Sequence, residues 1–279
     1  MAKFTESQVE QVCSGLRFTE GPVRMPDGAI VFSDIPADRM YRWEERGGMT
    51  VFRQPSGNSN GLTLDLDDRL LACEHGNRRV SRTEPDGSTR TIASTYKGRR
   101  LNSPNDIVVR SDGAIFFTDP PYGVKHEDRE LDFQGVFRLD PNGRLRLVAD
   151  DFNRPNGLAF SPDEKRLYID DSHEQFIRVF DVAPDGKLSG GKKLVDIQGR
   201  PGTCDGLKVD SKGTIITTAP GGIWFVSPAG EVLEKLDVPE VTANCCFGGD
   251  DWKTLYITAT TSLYRVRLKT AGIPVGERS

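Results

Sequence analysis

Six times along the chain, at intervals of about 40–50 residues, one short pattern returns, and this recurrence constrains the fold more than any other feature. The units open at Glu20 ("EGPVRMPDGAIVFSDI"), Asn60 ("NGLTLDLDDRLLACEH") and Asn105 ("NDIVVRSDGAIFFTDP"). They continue at Asn156 ("NGLAFSPDEKRLYIDD"), Asp205 ("DGLKVDSKGTIITTAP") and, degenerately, Asn244 ("NCCFGGDDWKTLYITAT"). Each reads as a strand, a turn, a second strand and a loop, usually followed by two further strands such as "MYRWEE" and "MTVF". The turns carry Pro-Asp-Gly, Ser-Asp-Gly or related triplets, the chemistry that joins antiparallel neighbours. Helix signals are nearly absent.

Six four-stranded sheets around an axis make an all-β, six-bladed β-propeller. The last unit runs out after three strands, at "SLYRVRL", so the N-terminal segment "SQVEQVCS" is expected to supply its fourth strand and close the ring. Closure matters because it hides the sheet edges that an open array would expose. Residues 1–279 are therefore read as a single domain, a size that all-β architectures commonly reach.

The bulk numbers exclude several function classes. A net charge of −4 with 28% charged residues offers no clustered basic surface for nucleic acid. Apolar runs are too short to span a membrane, and "MAKFTESQVEQV" lacks the apolar centre of a secretory leader. Five cysteines, at 13, 73, 204, 245 and 246, form neither an even disulfide framework nor a C-x-x-C pair. Reduced thiols in a cytoplasmic protein, acting as a monomer or small homo-oligomer, are the expectation. "GNSNG" (57–61) fits the G-x-S-x-G pattern of serine hydrolases, but strand-like alternation follows it where that motif needs a helix. Asn60-Gly61 marks the start of a blade and Ser59 only precedes it. "GKLSGGKK" (186–193) misses the Ser/Thr of a phosphate loop and is read as a joint between outer strands, while "KGRR" (97–100) is read as a solvated loop.

In a propeller blade the first strand is innermost, so the six unit-opening residues converge on one mouth of the channel. Glu20, Asn60, Asn105, Asn156, Asp205 and Asn244 would form a ring of oxygen acceptors, two of them carboxylates. Buried carboxylates that face each other disfavour ionisation, and a bound divalent cation resolves the conflict. Oxygen donors suit calcium or magnesium, and zinc or manganese would also accept them with water. Second strands return to the same mouth, so their ends are expected to line a cup: Asp34, Glu74, His75, Asp119, Tyr122, Asp171 and His173. The insertion "DPPYGVKHEDRELDFQ" reads as a lid or rim.

With these residues in view, the sequence resembles the gluconolactonase and senescence-marker-protein (regucalcin) family, from about Leu16 to Leu268, and most of all its bacterial sugar-lactonase branch. The resemblance is carried by "LRFTEGPV", "RLNSPNDIVVRSDGAIFFTDPPYG", "RPNGLAFSPDEKRLYI", "CDGLKVD" and "GGDDWKTLYIT". It implies one divalent metal ion, calcium or zinc foremost, held by Glu20, Asn156 and Asp205, with Asp205 as the general base. The alternative is that Asp205 orients the water while Glu74, His75 or another rim group takes the proton. Asn105 would meet ion or substrate. The regucalcin branch has an arginine where this chain has Ser103, so substrate contacts do not transfer there, although Arg100 and Asn102 lie close in sequence. The implied activity is hydrolysis of a sugar lactone, with His75, Tyr122, Asn102 and Asn105 as substrate-binding candidates. Rivals are an organophosphate or other ester hydrolase on the same ion, and a non-enzymatic ligand-binding propeller.

Overall fold

A computed structural model describes residues 3–277. It contains six four-stranded antiparallel sheets, blades I–VI, each built from consecutive strands except the last. The innermost strands are Thr19–Arg24 in blade I, Ser59–Leu64 in blade II and Ile107–Val109 in blade III. Blades IV, V and VI begin with Pro155–Phe160, Leu207–Val209 and Thr242–Gly248. Blade VI takes its outermost strand from the N-terminus: Glu10–Cys13 pairs with Ser262–Arg267, Glu10 opposite Arg265 and Gln11 opposite Tyr264. The predicted closure is therefore present.

Burial explains the texture of the strands. The second strand of blade III, Ile115–Asp119, is buried throughout, because a neighbouring blade covers each of its faces. Outer strands such as Thr89–Ala93 are mostly exposed and polar. The apolar residues form six clusters, each between one pair of adjacent blades and none at the axis. Cys245 and Cys246 alternate across their strand, one packing toward blade V and the other toward blade I, and all five cysteines are free thiols. Among the described residues no helix is long and apolar enough to cross a membrane.

Glycine does two different jobs. Gly87, in a Pro-Asp-Gly turn, has φ +81° and open space around it, so the turn needs glycine for its backbone angle. Gly157, which follows Asn156, has no such angle; the next blade's backbone stands against it. Its N–H donates to the Asp205 carbonyl at 3.0 Å, and a Cβ there would lie 2.1 Å from that oxygen. Gly61 donates likewise to the Asn105 carbonyl at 2.8 Å, and Gly206 to the Ala243 carbonyl at 2.7 Å. The repeated Asn-Gly and Asp-Gly pairs are thus the contact points between inner strands.

At the opposite mouth the C-terminal segment crosses the channel. Ser211 N–H donates to the Ala271 carbonyl, Gly272 lies flat on the Phe247 ring, and Val275 packs on the cluster between blades II and III. Ile273, Pro274 and Val275 roof a largely apolar cavity of about 150 Å³.

The two glycine roles separate experimentally. Gly157→Ala should cost about 3 kcal/mol or more in urea unfolding, because backbone cannot yield as a side chain does. Gly87→Ala should cost only about 1–2 kcal/mol, the penalty of the left-handed conformation. Equal losses would show that close approach at Gly157 is not what demands glycine.

Candidate metal centre

The ring residues are drawn to one place by the inner strands that carry them. Glu20, Asn60, Asn105, Asn156 and Asn244 are each 2–3% exposed, and Asp205 is half-buried at the mouth. Asp205 is repelled by Glu20 and accepts a hydrogen bond from the Asn156 amide. The Glu20 carboxylate accepts from the Gly21 N–H at 2.6 Å and from the Asn244 side chain.

The donor balance identifies what the ring lacks. Asn60 Oδ1, Asn105 Oδ1, Asn156 Oδ1 and Asp205 Oδ1 are buried oxygens with no hydrogen-bond partner. Leaving such acceptors unmet costs about 1–3 kcal/mol each. A cation is the natural partner for buried oxygens of this kind, so the residues fit a hard divalent ion. The set is two carboxylates with asparagine amides; no group of three His, Cys, Asp or Glu side chains that could hold a metal occurs among the described residues. Without the ion, burial first and then Asp106 push the Glu20 carboxyl up to about 7. Burial, followed by Glu20, Asp170 and Asp106, holds Asp205 well above the usual carboxylate range.

The ends of the second strands do not line the cup as expected. Asp34, Asp119 and Asp171 turn back to hook the segment leading into their own blade. Asp34 accepts from the Arg17 and Phe18 N–H groups at 3.1 Å. Asp119 accepts from Asn102 and Ser103 at 2.8 Å, and Asp171 from Asn153 and Arg154 at 2.7–3.1 Å. These carboxylates position Glu20, Asn105 and Asn156 without joining them. Glu74 is committed to Arg79, Asn77 and Ser81 at 2.5–2.6 Å. His173 is an exposed loop residue.

Of the substrate candidates, His75 and Tyr122 stand at the rim. His75 Nε2 faces Asn60 Nδ2 at 3.2 Å, and burial lowers its pKa to about 4, so the ring is neutral at pH 7. Tyr122 is 43% exposed, and its hydroxyl meets Ser172 Oγ at 2.5 Å. The insertion carrying it straps across the mouth: Gly123 lies against His75 and donates to Ser103 Oγ at 2.8 Å. Asn102 is placed differently. Its amide nitrogen is bound to the Asp119 and Phe133 carbonyls, and it faces a cavity under the insertion. Ser59 is buried with its hydroxyl on Ser33 Oγ at 2.8 Å, which leaves no triad.

Three charged groups below the ring were missed in the sequence: Asp106, Asp170 and Lys208. Asp106 stands where blades I, II, IV and V have glycine, and that departure was the available signal. Asp170 precedes the Asp171 hook, and its own side chain is fully buried beside Asp205.

The raised carboxyl has a definite linkage. A group whose folded pKa is raised contributes stability below its unfolded pKa and loses that contribution as pH rises through the folded value. For Glu20 that window runs from about 4.5 to about 7. In metal-free protein, the stability difference between wild type and Glu20→Gln should therefore shrink, then reverse against the wild type, across this range. Chemical denaturation at several pH values reads it, and a difference independent of pH would refute the assignment. Calcium should restore the wild type at neutral pH.

Comparison with known proteins agrees with this architecture. The SMP-30/Gluconolactonase/LRE-like region matches residues 18–261. A gluconolactonase of Zymomonas mobilis subsp. mobilis is 36% identical over 293 aligned positions, covering 95% of this chain and 82% of the relative. The pentonolactonase XacC of Haloferax volcanii is 30% identical, covering 88% and 83%. The solved structure of a gluconolactonase from Xanthomonas campestris superimposes with a TM-score of 0.86 at 33% identity, covering 93% of this chain and 89% of that one. With the family region matching residues 18–261 and relatives of 30% identity or more covered over four fifths of their length, the chain belongs to the SMP-30/gluconolactonase/LRE-like family.

Proposed function

We propose that this protein is a metal-dependent lactonase that hydrolyses a sugar lactone to its aldonic acid. The reading is carried by the four partnerless acceptor oxygens at the ring mouth, taken with relatives named as gluconolactonase and pentonolactonase. Glu20, Asn156 and Asp205 would hold the ion, and Asn105 and Asn60 stand beside them. An all-oxygen donor set favours calcium over zinc, which takes nitrogen and sulfur more readily. When bound, the ion supplies Lewis acidity to the lactone carbonyl.

The chain's own residues do the rest. Asp205 is the ring carboxylate most open to the mouth, and it would take a proton from the attacking water. The burial that raises its basicity counteracts the lowering that a nearby cation imposes. His75 is a weaker base, since burial holds its pKa at about 4 and Nε2 already faces Asn60. It instead fixes Asn60, whose Oδ1 is left to accept from a sugar hydroxyl. Tyr122 presents an exposed ring to the sugar's C–H face, and the strap holds it over the cup.

Chelator-stripped protein should release no acid from an aldonolactone, and calcium should restore the rate. Asp205→Asn should lower kcat by about 10²–10⁴. Asn156→Ala should weaken calcium binding in calorimetry. Tyr122→Ala should raise KM while changing kcat little, as expected for a group that binds ground state and transition state alike. Full activity in stripped protein, or in both Asp205→Asn and Asn156→Ala, would overturn the proposal.

A further inference from the structure

Below the ring, the channel holds a group that lactone chemistry does not use. Lys208 lies three residues past Asp205 on the inner strand of blade V, and its aliphatic stem runs along the apolar far cavity. Its ammonium donates to the Leu207 carbonyl at 3.0 Å and to Asn244 Oδ1 at 3.2 Å, and it pairs with Asp106 Oδ2 at 3.8 Å. These neighbours are a backbone carbonyl, an amide oxygen and a carboxylate, the three oxygen types from which proteins build calcium sites. A fourth group lies nearby: Asp170 has no exposed surface, stands beside Gly157, and interacts electrostatically with Asp106 and Lys208.

We propose that the Lys208 ammonium takes the place of a second divalent cation, so that Asp106, Asn244 and the Leu207 carbonyl form a latent metal site filled by the chain's own charge, with Asp170 adding negative charge nearby. The charge balance requires something there. Glu20, Asp106, Asp170 and Asp205 all interact with one another or with a shared neighbour in a buried channel. One divalent ion at the ring leaves the lower pair uncompensated, and a buried charge without a partner is strongly destabilising. Lys208 supplies one of the two missing positive charges and, through its bond to Asn244, orients the amide that donates to Glu20. It is a positioning residue, and it makes the channel a one-ion site.

This inference rests on the ring binding a metal, and counting ions separates the two. Full-length wild type, Lys208→Met, Lys208→Arg and Asp106→Asn/Lys208→Met are stripped with chelator. Each is then titrated with calcium by calorimetry, and the bound metal is counted by mass spectrometry. The expected contents are one ion in wild type, two in Lys208→Met, one in Lys208→Arg and one in the double variant. Lys208→Met should also melt lower without calcium than with it, by a wider margin than wild type. One ion in folded Lys208→Met would end this inference and leave the ring reading intact, as would two in wild type or in the double variant. A Lys208→Met chain that stays unfolded at millimolar calcium would end it as well. No ion in wild type would bring down the ring reading itself.

Discussion

The separation between inner strands is set by backbone meeting backbone. Where Gly61, Gly157 and Gly206 donate N–H groups to the carbonyls of the following blade, nothing larger than hydrogen fits on the α-carbon. That contact fixes how far the six inner strands stand from the axis, and hence how close their opening side chains come. A wider ring would draw the Glu20, Asn156 and Asp205 side chains apart. The same residues that read as turn formers are therefore the gauge of the channel.

A gauge this tight creates an electrostatic problem that the rest of the interior answers. Carboxylates at the ring are desolvated and repel one another, so without a counter-charge the centre favours protons. Asp34, Asp119 and Asp171 avoid the conflict by spending their charge on backbone N–H groups. Each closes a loop that starts outside its blade and ends at a ring residue, and three ring positions inherit rigidity from it. Hydroxyls finish the work: Ser33 and Thr118 donate to the carbonyls of Asn60 and Asn156 in the next blade. Blade IV has Asp170 at the corresponding position, and there the charge goes unspent.

What the sequence revealed follows from what repeats. Six blades, the closing strand at residues 10–13 and the phase of the ring were legible because each depends on spacing, and spacing survives in one dimension. The direction of a side chain at a strand end does not. Asp34 and Asp171 read as cup residues because a carboxylate at that position is equally at home facing the mouth or turned back on its own loop. Only the local backbone chooses between them. Asn102 misled for the same reason: its amide is drawn to the Asp119 and Phe133 carbonyls by a loop whose path no periodicity encodes. Lys208 and Asp106 were hidden among ordinary strand residues, since their pairing joins blades III and V across the axis.

The channel is finally asymmetric, and the asymmetry bears on how such a centre can work. One mouth is polar, half open and crossed by the strap that carries Tyr122 and Gly123. The other is apolar and roofed by Ile273, Pro274 and Val275. Water and substrate thus reach the ring from one side, while the charges beneath it sit against a low-dielectric floor. A low dielectric strengthens the hold of oxygen donors on a cation and equally the penalty for any carboxylate left unpaired. An open tube would relax both by letting solvent in from below. The C-terminal roof therefore belongs to the electrostatics of the centre as much as the ring does.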